Sequence, residues 1–300
     1  MKIKDVTALV GLAALWGGSF LFIRIASPVF GPFLTIEGRV TIAAIALLIY
    51  VSMSKKQSFN FRKKWRQYLI IGALNAAIPF TLIATSALYL TASMSSILNS
   101  LTPLFTALVV WGWMQEKLSP RKWLGIGVGV VGVVFLVGWS SITFTSNVIV
   151  AIGLAILSTI SYAFAGVYAK KTFVGDTPLS LATGQQIGAS ILLIPFTFIN
   201  LPNLTNRVPL VPVIAVVCLA LLCTAFAYLL YFYLIDRVGP TKTLSVTFLI
   251  PVFGMIWGIL ILNEEITVGM LVGFIIILGS VFLISDIRFS IPSSKKRLRT

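Results

Sequence analysis

The sequence predicts an all-α polytopic membrane protein of ten transmembrane helices, arranged as two inverted five-helix repeats. Three observations lead there. Of 300 residues, 58% are hydrophobic and 10% are charged, well short of the roughly 25% charged residues that cover a water-soluble surface. Apolar runs of about 20 residues, the length of a helical span, recur along the chain, and they lack the period-two alternation of a membrane barrel strand. Finally, the two halves of the chain carry matching residues at a common spacing.

The apolar runs fall at 6–26, 32–51, 68–88, 92–113, 123–139, 148–168, 179–199, 211–235, 241–262 and 267–285. Lys2 and Lys4 precede the first run as they would in a signal peptide. That run is too long for one, holds Trp16 and Arg24, and lacks a small-residue cleavage site, so it reads as an uncleaved first helix. Every second connection is basic. With the N-terminus in the cytoplasm, the inner segments hold Lys2 and Lys4; Lys55, Lys56, Arg62, Lys63, Lys64 and Arg66; Lys117, Arg121 and Lys122; Lys170 and Lys171; Arg237 and Lys242; and, in the tail, Arg288, Lys295, Lys296, Arg297 and Arg299. Only Arg24, Arg39 and Arg207 remain elsewhere. The positive-inside rule therefore accounts for the net charge of +15, places both termini in the cytoplasm and removes nucleic acid as a partner.

A shift of 148 residues brings Leu101 onto Leu249, Pro103 onto Pro251, Phe105 onto Phe253, Glu116 onto Glu264 and Gly125 onto Gly273. A shift of 146 brings Trp16 onto Tyr162 and Arg24 onto Lys170. The repeats are 1–142 and 143–286, with a basic cytoplasmic tail at 287–300. Five spans are an odd number, so the second copy enters from the opposite side, with Glu116 at the inner face and Glu264 at the outer. Two inverted copies that exchange slightly different conformations turn an inward-open cavity into an outward-open one. Duplication without such a use is the bland alternative.

The run Leu15-Trp16-Gly17-Gly18-Ser19-Phe20 followed by Arg24, the two proline-containing fourth helices, and the acidic residue after each resemble the EamA-like branch of the drug/metabolite transporter superfamily. The resemblance extends from about Val6 to Ser285. It implies a ten-helix carrier with a central cavity lined by helices one to four and six to nine, and with helices five and ten at the periphery. Arg24 stands where such proteins often have lysine, which keeps the charge and changes the hydrogen-bond geometry.

Ionisable groups in lipid need a partner or a wet cavity. Arg24, Glu37 and Arg39 share one side of the membrane and are candidates for an outer gate or coupling site in which Arg24 pairs with Glu37. Snorkelling to the headgroups is the alternative, easier for Arg24 than for the shorter Glu37. Lys170, Gln185 and Gln186 occupy the corresponding inner positions, although Lys170 also fits the ordinary basic inner flank. Pro103 and Pro251 are hinge candidates, each leaving a carbonyl four residues earlier, on Asn99 and Thr247, without its helical donor. Trp16, Asn75, Asn99, Tyr162 and Tyr228 are the expected substrate-binding residues of an aromatic-walled cavity. Helix packing or interhelical hydrogen bonding is the competing role for each of them.

Small-xxx-small pairs at Gly125/Gly129, Gly184/Gly188 and Gly269/Gly273 point to close helix packing, and a homodimer through peripheral helices five and ten is a further option. The sequon at Asn203 is read as chance. Cys218 and Cys223 are read as inert packing residues, and the absence of histidine removes His-based triads, zinc helices and haem ligation. No metal or cofactor is expected. Without a phosphate loop for ATP, the expectation is a secondary transporter, an exporter of small amphipathic metabolites such as amino acids or related compounds and drugs, in a bacterial inner membrane. A receptor or assembly scaffold is the first alternative and an intramembrane enzyme the second.

Overall fold

The computed structural model describes residues 1–53, 59, 61–139, 145–202 and 208–285. The basic tail, Lys55, Lys56, Arg207 and the Asn203 sequon lie outside the described residues. Among the described residues every regular element is helical. Seven helices are long and apolar enough to cross a membrane: α1 (Ile3–Met53), α2 (Phe61–Ser86), α3 (Ala92–Met114), α4 (Pro120–Gly138), α5 (Ser146–Thr172), α6 (Pro178–Ile199) and α7 (Leu210–Val238). Two shorter apolar helices follow, α8 (Val246–Leu262) and α9 (Val268–Ile284).

The length of α1 is explained by a break inside it. Gly31 has φ 72° and ψ 161°, a conformation open essentially to glycine alone, while Pro28 and Pro32 on either side cannot donate to the helical ladder. The expected spans 6–26 and 32–51 are its two arms. Both run along α7: Phe30 shares a cluster with Ala215, Ile36 and Val40 with Leu219, Leu47 with Ala225, and Leu9 and Leu12 with Leu234. Both arms therefore lead away from the Gly31 end of α7 in the same sense, as in a hairpin.

Backbone irregularities recur at the repeat spacing. α2 and α7 each widen into a π-helical turn, at Ala73–Ala77 and Leu221–Phe226. α3 and α8 each end on a non-glycine left-handed residue, Gln115 (φ 57°) and Asn263 (φ 53°). α4 and α9 each start behind a hydroxyl that accepts from the backbone three residues on, Ser119 from Lys122 and Thr267 from Met270, which satisfies a free N–H of the first turn.

α4 and α9 pack on one another through their glycines. Gly125 meets Ile284, Gly129 meets Ser280, Gly132 meets Ile277 and Gly273 meets Leu136. The numbers rise on one helix as they fall on the other, so the pair is antiparallel. A shift of 148 converts the first contact into the last and the second into the third, as a local two-fold axis would. These two stripes are filled within the chain. The third stripe holds Tyr68, whose backbone oxygen a Cβ at Gly188 would meet.

The prolines depart from the expected matched kink. α3 breaks at Ser100 and Leu101, and Pro103 lies in the first turn of the half-helix that follows, where a missing N–H costs nothing. In the second half the break falls at Leu244 and Ser245, and α8 continues through Pro251. The carbonyl of Asn99 is not free either, because Thr102 Oγ1 donates to it at 2.7 Å.

Large apolar side chains face outward along the helices, among them Val134, Ile149, Phe198 and Ile275, as a lipid-facing surface requires. Both cysteines are free thiols, and Cys223 is buried in the central cluster with Phe20, Val40 and Leu219.

Candidate substrate-binding and gating site

The polar residues of the interior gather where α1, α2, α6 and α7 meet. The two π-turns help to build this region, since each detaches a carbonyl from the regular ladder. Ser161 Oγ donates to Leu74 O at 2.7 Å, and Thr224 Oγ1 donates to Leu219 O at 2.9 Å. Within the first turn, Asn75 reaches across to α6, its Nδ2 donating to Gln185 Oε1 at 2.8 Å. Gln185 Nε2 in turn donates to Tyr228 Oη at 2.5 Å.

Arg39, 5% exposed, lies beside this chain of amides. Its Nε donates to Thr224 Oγ1 at 2.9 Å, and its guanidinium carbon sits 3.6 Å from the centre of the Phe80 ring, a cation–π contact. Tyr162 packs edge-on to Phe80 with ring centres 6.3 Å apart. Trp16 completes an aromatic wall at 6.5 Å from Tyr228 and 5.4 Å from Tyr231. Gln186, fully buried, faces the Tyr228 hydroxyl, yet neither of its amide atoms meets a partner in hydrogen-bond geometry.

The expected Arg24–Glu37 pair does not form in this structure. Arg24 Nη1 donates instead to Ala87 O just beyond the end of α2, where a cation offsets the exposed carbonyls of a helix C-terminus. Glu37 Oε1 accepts from Thr41 Oγ1 at 2.5 Å and from Ser190 Oγ at 2.9 Å, while its Oε2 is enclosed without a partner. Thus Glu37 belongs to a contact between α1 and α6. Of the remaining candidates, the structure brings Trp16, Asn75, Tyr162, Tyr228, Gln185, Gln186 and Arg39 together. It leaves Lys170 exposed in the last turn of α5 and places Asn99 at the α3 break, with its Oδ1 enclosed and unpartnered.

Phe80, Thr41, Ser190 and Thr224 were not singled out by the sequence, in which Ser, Thr and Phe are too frequent within apolar runs to mark a site. Glu264 stood out only as a marker of the repeat. In the structure it follows left-handed Asn263 and caps α3, accepting from Ala92 N at 2.7 Å, Ser93 N at 3.0 Å and Ser93 Oγ at 2.6 Å. A carboxylate at a helix N-terminus meets free N–H groups and the positive end of the helix dipole. Its counterpart Glu116 has no hydrogen bond or ion pair among the described residues. The single ion pair among them joins Lys64, in the first turn of α2, to Asp176, between α5 and α6.

The sequence profile of the EamA-like transporter family matches residues 4–138 and 149–286. The chain belongs to the EamA-like transporter family. An uncharacterized transporter of Archaeoglobus fulgidus is 26% identical over 286 residues, covering 94% of this chain and 98% of that protein. The uncharacterized transporter YvbV of Bacillus subtilis is 25% identical over 287 residues, 95% and 92% of the two chains. Protein PecM of Dickeya dadantii is 24% identical over 301 residues, 100% and 97% of the two. A solved crystal structure superimposes with a TM-score of 0.64 at 15% identity over 94% of this chain and 96% of the other, a likeness of fold alone. The family and the names of the relatives place this EamA-like chain among membrane transporters, and its apolar helices make it an integral membrane protein.

Proposed function

We propose that this EamA-family protein is a secondary carrier that exports small amphipathic metabolites, amino acids or related compounds and drugs among them, by alternating access. In this reading it has ten transmembrane helices in two inverted repeats, 1–142 and 143–286, followed by a basic tail at 287–300. It sits in a bacterial inner membrane with both termini cytoplasmic. The observation that carries the reading is the division of the polar centre between the halves. Asn75–Gln185, Arg39–Thr224, Glu37–Ser190 and Trp16–Tyr228 each join a residue before 142 to one after 143. Any relative movement of the halves must therefore make and break this centre, which is what a carrier needs of a substrate site. The antiparallel, exchange-related contacts of α4 and α9 support the inverted arrangement.

The test is counterflow in proteoliposomes of purified full-length protein, loaded with one of a panel of amino acids and small drugs. Saturable uptake stimulated by internal solute is the expected result. Flux equal to that of protein-free vesicles for every solute would remove the carrier reading. For the orientation, Val174, 80% exposed, and Val208, 41% exposed, are replaced one at a time by cysteine in intact cells. An impermeant thiol reagent should label position 208 and spare position 174, and the reverse pattern would invert the topology.

A further inference from the structure

Arg39 is a buried cation without a counter-ion. The one ion pair among the described residues is remote from it. Glu37, two positions earlier and so roughly 200° around the helix, is held by Thr41 and Ser190. The ionisable groups beside Arg39 are Tyr162, Cys223 and Tyr228, two phenols and a thiol, whose reference forms are neutral at pH 7. An enclosed, unneutralised charge is expensive to keep, and an ionisable group inside a membrane protein marks a functional site by default.

Its free edge defines what it can bind. Phe80 covers one face of the guanidinium and Thr224 occupies Nε. Both amide atoms of Gln186 are enclosed and unpartnered, and among the described residues the one hydrogen bond of Arg39 is that of Nε, so its two terminal nitrogens keep their donors for another partner. Two parallel N–H donors at that edge match the two oxygens of a carboxylate. The Tyr228 hydroxyl, which accepts from Gln185, keeps its own proton to donate. Aromatic rings of Trp16, Tyr162 and Tyr228 flank the place where an apolar body would lie.

We infer that Arg39 is the anchor for the carboxylate of the carried solute, and that the substrate class is small organic monoanions with an apolar or aromatic body. The inference rests on the carrier reading and narrows it, because an uncompensated arginine at the centre repels cationic drugs.

The experiment is a binding titration of purified full-length protein with acetate, phenylacetate and indole-3-acetate, each against its neutral amide, with phenethylamine as the cation and sodium chloride alone as the inorganic anion. At least one carboxylate should bind about tenfold more tightly than its amide, and Arg39→Gln should erase that ratio. Arg39→Lys retains the charge without the two-pronged edge and should recover part of the preference. No preference for any carboxylate over its amide, a preference that survives Arg39→Gln, or stabilisation by chloride equal to that by the best carboxylate would overturn the proposal. The wild-type comparison decides the matter even if Arg39→Gln does not fold. Proteoliposome flux separates the two readings. Binding through Arg39 with no flux of any solute sinks the carrier and leaves the anchor, whereas undiminished flux of the preferred carboxylate in Arg39→Gln keeps the carrier and sinks the anchor.

Discussion

Glu264→Gln tests whether the α8–α3 contact is a latch that one conformation makes and the other gives up. The carboxylate accepts three hydrogen bonds, two from backbone amides and one from Ser93 Oγ, at 2.6 to 3.0 Å. Glutamine has the same shape but offers one acceptor oxygen, so its NH₂ must face a donor and at least one amide of the first turn of α3 loses its partner. An unsatisfied buried donor costs about 1–3 kcal/mol, and a middle value of about 2 kcal/mol corresponds to roughly a thirtyfold change in a two-state equilibrium. The assay uses Ser95→Cys, 3% exposed with a hydroxyl that has no partner, so that the thiol replaces no hydrogen bond. In a background with Cys218 and Cys223 replaced by alanine, a water-soluble thiol reagent should modify position 95 slowly when Glu264 is present. With Glu264→Gln the modification rate should rise by at least tenfold, and substrate exchange should change with it. Equal modification rates in the two backgrounds would refute the latch.

Glu37→Gln should impair transport in a normally inserted protein, because the carboxylate ties α1 to Ser190 of α6; full activity at every pH would remove Glu37 as gate and as proton carrier. Exchanging the charges of positions 24 and 37 should not rescue it, since Arg24 sits on the Ala87 carbonyl; recovery of transport in the double variant would show that the two residues pair in another state. Gly188→Ala should lower thermal stability by about 1–3 kcal/mol, as the new methyl would meet the Tyr68 backbone, and an unchanged melting temperature would show that α2 and α6 can separate freely. Pro103→Ala, in the first turn of its half-helix, should leave exchange near the wild-type rate in flux assays, whereas Pro251→Ala, inside α8, should slow it; a wild-type rate for Pro251→Ala would end the hinge reading.

What the chain alone determines here is whatever depends on its local sequence in a bilayer. Run length reports whether a helix can span, and the expected runs reappear as a helix or as an arm of one, the runs 6–26 and 32–51 becoming the two arms of α1 on either side of Gly31. The spacing of 148 between matching residues was equally legible, because it is read along the chain whatever those residues touch. Partner choice was not. Each residue step turns a side chain by about 100°, so which groups meet depends on how helices far apart in sequence rotate against each other. Arg24 and Glu37 are close in sequence and invited pairing, yet Arg39 found Thr224 at a separation of 185 residues and Glu37 found Ser190 at 153. The π-turns were hidden for a related reason. Ala73–Ala77 and Leu221–Phe226 match only at Leu74/Leu222 and Ala77/Ala225, residues too common in apolar runs to mark a π-turn, and a widened turn survives where tertiary partners such as Ser161 satisfy the carbonyl it releases. The bilayer decides that these segments are helices. The packing of one half against the other decides which of their polar groups face each other, and therefore where a solute can be held.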